Sequence, residues 1–176
     1  VTSVTIPDSI TSIGRSAFAC PNMKDVYFNA SATNIEAFKG SYGLYNEYSP
    51  GFNSDITVHI GANVTVIPDD FRFLFAVSAT PDGIYRARIT DIDFAENSSC
   101  REIGMRAFEW CNMIKHIRLP KSIKTISYNA FFDAIAELES ITVEDGNEDY
   151  YSDGNCLIGK SSGELLLGCK NSTIPT

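Results

Sequence analysis

One short pattern recurs along the chain, and it constrains the fold more than any other feature of the sequence. In each copy, two apolar residues flank a central residue that is polar or, once, a tyrosine. The six copies are Val4-Thr5-Ile6, Val26-Tyr27-Phe28, Val58-His59-Ile60, Ile92-Asp93-Phe94, Ile117-Arg118-Leu119 and Ile141-Thr142-Val143. Their third residues are 22, 32, 34, 25 and 24 positions apart. Self-similarity at such periods indicates a repeat architecture.

A second set of positions recurs in step with these triplets. An isoleucine follows five of the triplets, seven positions on in four cases and nine in the other. A phenylalanine follows each isoleucine, and alanine stands directly before it in four cases. The isoleucines are Ile13, Ile35, Ile67, Ile103 and Ile126, and the phenylalanines are Phe18, Phe38, Phe71, Phe108 and Phe131. We expect equivalent residues to line up when the repeats stack.

Each repeat is predicted to form one coil of chain. The triplet is a short strand with one buried face, because its apolar residues alternate with an outward one. The isoleucine marks the return wall, and a second short extended segment is one interpretation of it. Gly14 and Gly104, directly after an isoleucine, are expected to allow a backbone turn. The Ala-Phe pair then closes the coil on one 3₁₀ or α turn.

The fold class predicted from these coils is α/β and β-rich, a solenoid of about six coils, each with one short strand and a 3₁₀ or short helical turn. Residues 1–176 are expected to form a single domain with insertions at 41–53 and 76–88. Two apolar runs around a polar turn predict a β-hairpin at 155–169. Thr173-Ile174-Pro175 repeats Thr5-Ile6-Pro7, so we expect the chain to be a stretch of a longer array.

The charge of the chain excludes some classes of partner. Its net charge is −8, which argues against nucleic acid because nucleic-acid binding needs a basic face. Residues 133–153 hold eight of the 22 acidic residues and no Lys or Arg, so the acidity is local. No run of 18 apolar residues occurs, and we expect no membrane insertion by this segment. A signal peptide would lie outside a chain that opens at Val1.

Neither catalytic nor metal-binding residues are predicted, and no cofactor is expected. Hydrolase, metalloprotease and phosphate-loop motifs are absent from the sequence. Asp145, Asn147 and Asp149 match the first ligand offsets of a calcium loop, but Tyr150 and Cys156 break the rest of the pattern. A polar turn before the hairpin accounts for that stretch adequately. The five cysteines include Cys156 and Cys169, which flank the predicted hairpin; a disulfide between them and two free thiols both remain open.

Three stretches resemble the BspA-type leucine-rich repeat family of bacterial surface proteins: "VTIPDSITSIGRSAFACPNM", "REIGMRAFEWCNMIKHIRLPKSIKTISYNAF" and "NCLIGKSSGELLLGCKNSTIP". The third repeat, "VTVIPDDFRFLF", departs from that pattern because it lacks the Gly and the Ala. The resemblance implies a right-handed solenoid, secretion and cell-surface display in a host-associated bacterium. It also implies adhesion to an extracellular or cell-surface protein or glycan of the host, and no catalytic residues.

Two surfaces are candidates for ligand binding. The first, the strand strip, consists of outward residues of the triplets, and its candidate residues are Tyr27, His59, Asp93, His116 and Arg118. The second, the loop patch, carries the aromatic residues of the two insertions, namely Tyr42, Tyr45, Tyr48, Phe52 and Tyr85. A merely solvated strip and rings folded back onto the coil edge are the structural alternatives. In functional terms, the alternative to a binding module is a spacer, one segment of a stalk with no ligand of its own.

Overall fold

The computed structural model describes residues 1–10, 13, 20, 22–30, 54–74, 76–79, 85–134 and 136–174, with the backbone alone at 73, 74, 76–79 and 85–87. The described part is rich in strands and contains one short 3₁₀ helix, Phe71–Leu74. The strands in chain order are β1 (Ser3–Ile6), β2 (Asp25–Phe28), β3 (Ile56–Ile60), β4 (Val66–Ile67), β5 (Ala76–Ala79), β6 (Tyr85–Ala87), β7 (Ile89–Phe94), β8 (Glu102–Ile103), β9 (His116–Leu119), β10 (Thr125–Ile126), β11 (Ser140–Val143), β12 (Tyr150–Asp153), β13 (Cys156–Gly159) and β14 (Leu165–Leu167).

The six triplets form one parallel sheet in the order β1-β2-β3-β7-β9-β11. Every neighbouring pair of strands in it is parallel, as expected when each repeat brings the chain back in the same direction. The register aligns equivalent residues, for example Ile6 with Phe28 and Phe28 with Ile60. The prediction that each triplet forms a strand of one common sheet is therefore confirmed.

The recurrent isoleucines lie in a second, smaller sheet. Strands β4, β8 and β10 are parallel and adjacent in the order β10-β8-β4. Ile67, Ile103 and Ile126 occupy equivalent positions in them, and the first two are fully buried. The interpretation of the isoleucine as part of a second extended segment is correct for these three repeats. Ile35 falls outside the described residues.

Between the two sheets lies a core in which aromatic rings from successive coils touch. Phe71 contacts Phe28 with ring centroids 5.0 Å apart, and Phe71 and Phe108 are 5.7 Å apart. Phe108 in turn stacks on Phe131 at 5.4 Å. Phe71, Phe108 and Phe131 are thus aligned as the sequence predicts, whereas Phe18 and Phe38 lie outside the described residues. Ala107 and Ala130, before two of these rings, are buried as well.

The turns that carry these phenylalanines differ from the helical turn expected in each coil. Phe71 begins a 3₁₀ helix, but Phe108 and Phe131 lie in hydrogen-bonded turns. The residue three positions after each isoleucine of the second sheet has a positive φ; these residues are Asp70, Arg106 and Asn129. Trp110 and Asp133, further along the same turns, also have a positive φ. Left-handed residues interrupt a helix, since the right-handed conformation cannot continue through them. The described part is consequently strand-rich with almost no helix, and a helical turn in every coil is not supported.

Gly104 has a different role from the one expected. It has no positive φ; instead, a Cβ on it would lie 2.6 Å from the backbone nitrogen of Asp69 and 2.7 Å from the carbonyl carbon of Pro68. Glycine is required because the preceding coil approaches so closely, and the turn itself does not demand it. Gly14 lies outside the described residues.

Antiparallel strands follow the last triplet. Strands β12, β13 and β14 form a three-stranded antiparallel sheet, of which β13 and β14 lie within residues 155–169. In the second insertion, β5 and β6 also pair antiparallel. Cys156 and Cys169 are both free thiols.

Asn147 connects this C-terminal sheet to the preceding coil, and its side chain is almost fully buried. Its Nδ2 donates to the carbonyl oxygens of Pro120, at 3.3 Å, and Ile123, at 2.9 Å. Its Oδ1 accepts the backbone N–H groups of Asp149 and Tyr150. These contacts occupy the amide that matched a calcium-loop position, and they make it a structural residue of the turn.

Candidate binding surface

The register of the large sheet arranges its outward residues in two rows across neighbouring strands. The first row begins with Ser3, Asp25 and Thr57 and continues through Asp91, His116 and Ser140. The second row places Thr5, Tyr27, His59 and Asp93 side by side, and Arg118 beside Thr142. All five candidate residues of the strand strip therefore lie on one side of one sheet. Their side-chain contacts divide these residues into two groups.

The first group centres on His59 of β3. Its ring stacks on that of Tyr27, with centroids 4.4 Å apart and planes 10° apart. Its Nδ1 lies 3.2 Å from Oδ2 of Asp93, and its Nε2 lies 3.2 Å from Oδ1 of Asp25. The imidazole is thus held between carboxylates of the strands on either side. Tyr27 remains 40% exposed and the Asp93 side chain 67% exposed, so this group presents an aromatic ring beside acidic oxygens to solvent.

The second group lies on β9 and is basic. Nδ1 of His116 is 2.9 Å from the hydroxyl oxygen of Ser140 on β11. Arg118 Nη2 donates to Oε1 of Glu144 at 3.2 Å, while Glu144 Oε2 accepts the backbone N–H of Lys121. The Arg118 side chain is 74% exposed, and an ion pair this open to water holds its cation only weakly. The guanidinium can therefore turn to a ligand at little cost.

The sequence pattern grouped Tyr27, His59, Asp93, His116 and Arg118 as one strip without assigning contacts among them. The structure joins Asp93 to His59, whereas Arg118 pairs with Glu144 and His116 with Ser140. Two contributors, Asp25 and Glu144, were absent from the predicted site. Asp25 was recognisable as an outward residue, but its diagonal contact to His59 depends on the register between repeats that are separated by a long insertion.

The loop patch is not tested by the structure. Tyr42, Tyr45, Tyr48 and Phe52 lie outside the described residues, and Tyr85 is described only as the first backbone residue of β6. Its role in binding stays a prediction.

Chemically, the strand strip is suited to recognition. Aromatic, acidic and basic groups lie next to one another on a sheet face, and several of their polar atoms are open to solvent. Within the described residues, no group of three or more His, Cys, Asp or Glu side chains is arranged to hold a metal ion. The same part of the chain contains no helix of the length and hydropathy needed to cross a bilayer.

Six triplets add one strand each to a parallel sheet, and in the described residues three successive repeats add a ring to the core, which is the organisation of a repeat protein of the leucine-rich type. The family comparison gives the particular family: residues 1–68 and 83–155 match the BspA type leucine rich repeat region in six copies. The chain belongs to this family. A comparison with curated proteins gives no match.

Solved structures share the fold at low identity. The pneumococcal vaccine antigen PcpA is 20% identical with a TM-score of 0.62, over 97% of this chain and 37% of that one. A leucine-rich repeat protein from Eubacterium ventriosum is 22% identical with a TM-score of 0.54, over 98% and 40%. A leucine rich cell surface protein from Faecalibacterium prausnitzii is 22% identical with a TM-score of 0.50, over 92% and 43%. The chain spans less than half the length of these proteins.

Proposed function

We propose that the chain is a non-catalytic module displayed at a bacterial cell surface, where it binds an extracellular or cell-surface protein or glycan through the strand strip. The observation that carries this proposal is the stacked Tyr27–His59 pair between the carboxylates of Asp25 and Asp93. An exposed ring fixed in place loses little entropy on binding, and neighbouring carboxylates accept hydrogen bonds from amines or hydroxyls. Sugar rings and basic side chains both match this chemistry.

Surface display and secretion are supported by membership of the BspA type leucine rich repeat family and by the similarity to the leucine rich cell surface protein of Faecalibacterium prausnitzii. We also propose that the stacked repeats wind as a right-handed solenoid. The support is general: connections between parallel neighbours in one sheet are right-handed in about 98% of cases.

The loop patch is a second proposed contact, because loop aromatics carried on a rigid scaffold are typical of binding surfaces. The competing proposal is a spacer segment with no ligand of its own. Exposed ion pairs such as Arg118–Glu144 contribute little to stability, and this is compatible with either role.

The experiment that tests binding is capture of immobilised extracellular-matrix proteins and an array of glycans by the 176-residue chain. Tyr27→Ser removes the exposed ring, and we expect it to weaken capture at least tenfold, or about 1.4 kcal/mol. Tyr151→Ser is the matched control, because Tyr151 is also 40% exposed but lies outside the strip. Replacing Tyr42, Tyr45 and Tyr48 with Ser tests the loop patch in the same assay.

The outcomes separate the candidate functions. Loss of ligand capture with Tyr27→Ser alone supports binding by the strand strip. Loss of capture with the triple variant at an unchanged melting temperature supports binding by the loop patch. Equal loss with Tyr27→Ser and Tyr151→Ser would mean that the assay reports on folding. Failure of the unmodified chain to capture any ligand would favour the spacer.

A further inference from the structure

A groove lies beside the turn of the fifth triplet's coil. It is formed by residues 126–133 on one side and by β14 with Glu164 on the other, and its volume is about 600 Å³. Phe131 and Leu157 are buried at its base. It shares no residue with the strip, so an occupant of the groove would be a second ligand.

The rim of the groove leaves large apolar side chains in water. Tyr128 is 81% exposed, Phe132 50%, Leu165 45% and Leu166 41%. Four of the nine exposed large hydrophobic residues in the described part of the chain are therefore at this one place. Scattered exposed apolar residues are ordinary on a protein surface, but a contiguous set around a concave feature marks an interaction site.

The charged residues that line the groove indicate which kind of ligand it can bind. The ionisable groups that line it are Asp133 and Glu164, with Tyr128, and no Lys or Arg is among the lining residues. Asp133 also begins the segment 133–153, which holds eight acidic residues and no basic one. Two carboxylates and no cation line the groove, which favours a cationic occupant and disfavours a second copy of a chain whose net charge is −8.

We propose that this groove binds a cationic amphipathic peptide segment of another protein. Its apolar side chains cover Tyr128, Phe132, Leu165 and Leu166, and its Lys or Arg side chains face Asp133 and Glu164. The apolar contacts supply most of the buried area, while the rim carboxylates select the charge of the partner and speed its association. The proposal is independent of ligand binding by the strand strip.

The test uses the 176-residue chain and a short dye-labelled peptide of leucine and lysine, followed by fluorescence anisotropy. A peptide of the same pattern with glutamate in place of lysine is the ligand control. We expect the lysine peptide to bind and the glutamate peptide not to bind. The variant Tyr128→Ser with Phe132→Ser should weaken binding at least tenfold, because it removes half of the exposed apolar rim.

Paired acid variants distinguish the groove from general charge attraction. Asp133→Asn with Glu164→Gln removes both rim charges, and Asn tolerates the positive φ of 53° at position 133. Asp145→Asn with Glu148→Gln removes the same charge from the acidic segment outside the groove. The first pair should weaken binding at least tenfold and the second less than about twofold.

Three results would overturn the proposal. One is no binding of the lysine peptide, and another is an equal loss in the two acid pairs. The third is sedimentation of the unmodified chain as a dimer that Leu166→Glu dissociates, which would assign the groove to a second copy.

Discussion

The ring of Phe108 stacks on that of Phe131 with centroids 5.4 Å apart and planes 13° apart. Its other neighbour in the row, Phe71, meets it edge to face at 5.7 Å. The three rings belong to three successive repeats, and Phe108 has no exposed surface. Ring contacts between repeats therefore help to hold the middle of the core together, as expected for a chain whose single repeats bury little apolar area.

Phe108→Ala should lower the free energy of unfolding by about 3–5 kcal/mol, because it leaves a cavity between two neighbouring rings. Urea denaturation followed by circular dichroism measures the loss. Phe132→Ala is the matched control, since Phe132 lies in the next repeat's turn but is 50% exposed. The control should cost less than about 1 kcal/mol. Equal effects of the two changes would mean that the row of rings does not carry the stability.

A buried ion pair also joins adjacent repeats. Arg72, in the 3₁₀ helix, contacts the carboxylate of Glu109, and both side chains are less than a tenth exposed. Arg72 further contacts Asp70 at 3.2 Å and lies 4.8 Å from the ring centroid of Trp110. Burial lowers the pKa of the Arg72 guanidinium, opposed by the charge of Asp70. The pair is costly to desolvate, and its partners are needed to compensate that cost.

Glu109→Gln should destabilise the chain by about 3 kcal/mol, because it leaves the Arg72 charge buried without a full counter-charge. Denaturant unfolding measures the change. The double variant Arg72→Met with Glu109→Leu should recover most of the loss, since burying two apolar side chains needs no counter-ion. The control Glu144→Gln breaks an exposed pair and should cost less than about 1 kcal/mol. A double variant no more stable than Glu109→Gln would contradict this account.

The sheet and its register follow from the sequence because the pattern repeats. A triplet such as Val26-Tyr27-Phe28 has one face that must be buried, and a one-residue slip would expose both of its apolar residues. With equivalent triplets on either side, the only register that buries all of them aligns Val26 with Val4 and with Val58, as found. The isoleucines of the second sheet are fixed by the same argument.

The turns and the polar contacts between repeats are less predictable. Arg72 lies in the repeat whose sequence departs from the pattern, but nothing in that sequence points to Glu109, 37 positions on. Such contacts depend on how two turns approach in three dimensions. The left-handed conformations of Arg106 and Trp110 are likewise imposed by the stack, since neither residue type favours a positive φ. The contact between Asp25 and His59 was not predicted because it too depends on how two repeats approach in three dimensions.

Gly104→Ala should lower the free energy of unfolding by about 1–3 kcal/mol, because the added Cβ would collide with the backbone of Asp69 and Pro68 in the preceding repeat. Thermal unfolding measures the effect. At Gly168 the nearest atom to an added Cβ is the Ser172 hydroxyl oxygen, at 3.3 Å, a milder contact than the backbone collision at Gly104. Gly168→Ala is therefore the control and should cost less than Gly104→Ala. If Gly104→Ala left the free energy of unfolding unchanged, adjacent coils would have to be able to separate at this point.

Asn147→Ala should cost about 2–4 kcal/mol, since it removes four side-chain hydrogen bonds and leaves buried backbone groups without partners. Asn147→Asp keeps the acceptor for Asp149 and Tyr150 but loses the donor to Pro120 and Ile123. We therefore expect it to lower the free energy of unfolding substantially as well. Asn63→Ala, at an exposed turn, is the control. Equilibrium unfolding compares the three, and a neutral Asn147→Ala would remove the structural role assigned to this amide.

The buried thiol of Cys100 should make stability depend on alkaline pH. Burial raises the pKa of Cys100 to about 11 from an ordinary value near 9. Between these values the thiol ionises in the unfolded chain but stays protonated in the folded one, so unfolding releases a proton. The stabilisation is complete below about pH 9 and is lost as the pH rises toward about 11, and its full extent is about 2–3 kcal/mol.

Cys100→Ala isolates this contribution. The variant is less stable at neutral pH because of the lost side-chain volume, but its unfolding free energy should fall less steeply between about pH 9 and pH 11 than that of the unmodified chain. Urea unfolding at several pH values gives the two slopes. Burial also raises the pKa of Cys111, so the variant keeps part of the alkaline dependence. Identical slopes in the two proteins would mean that the Cys100 thiolate is solvated in the folded state.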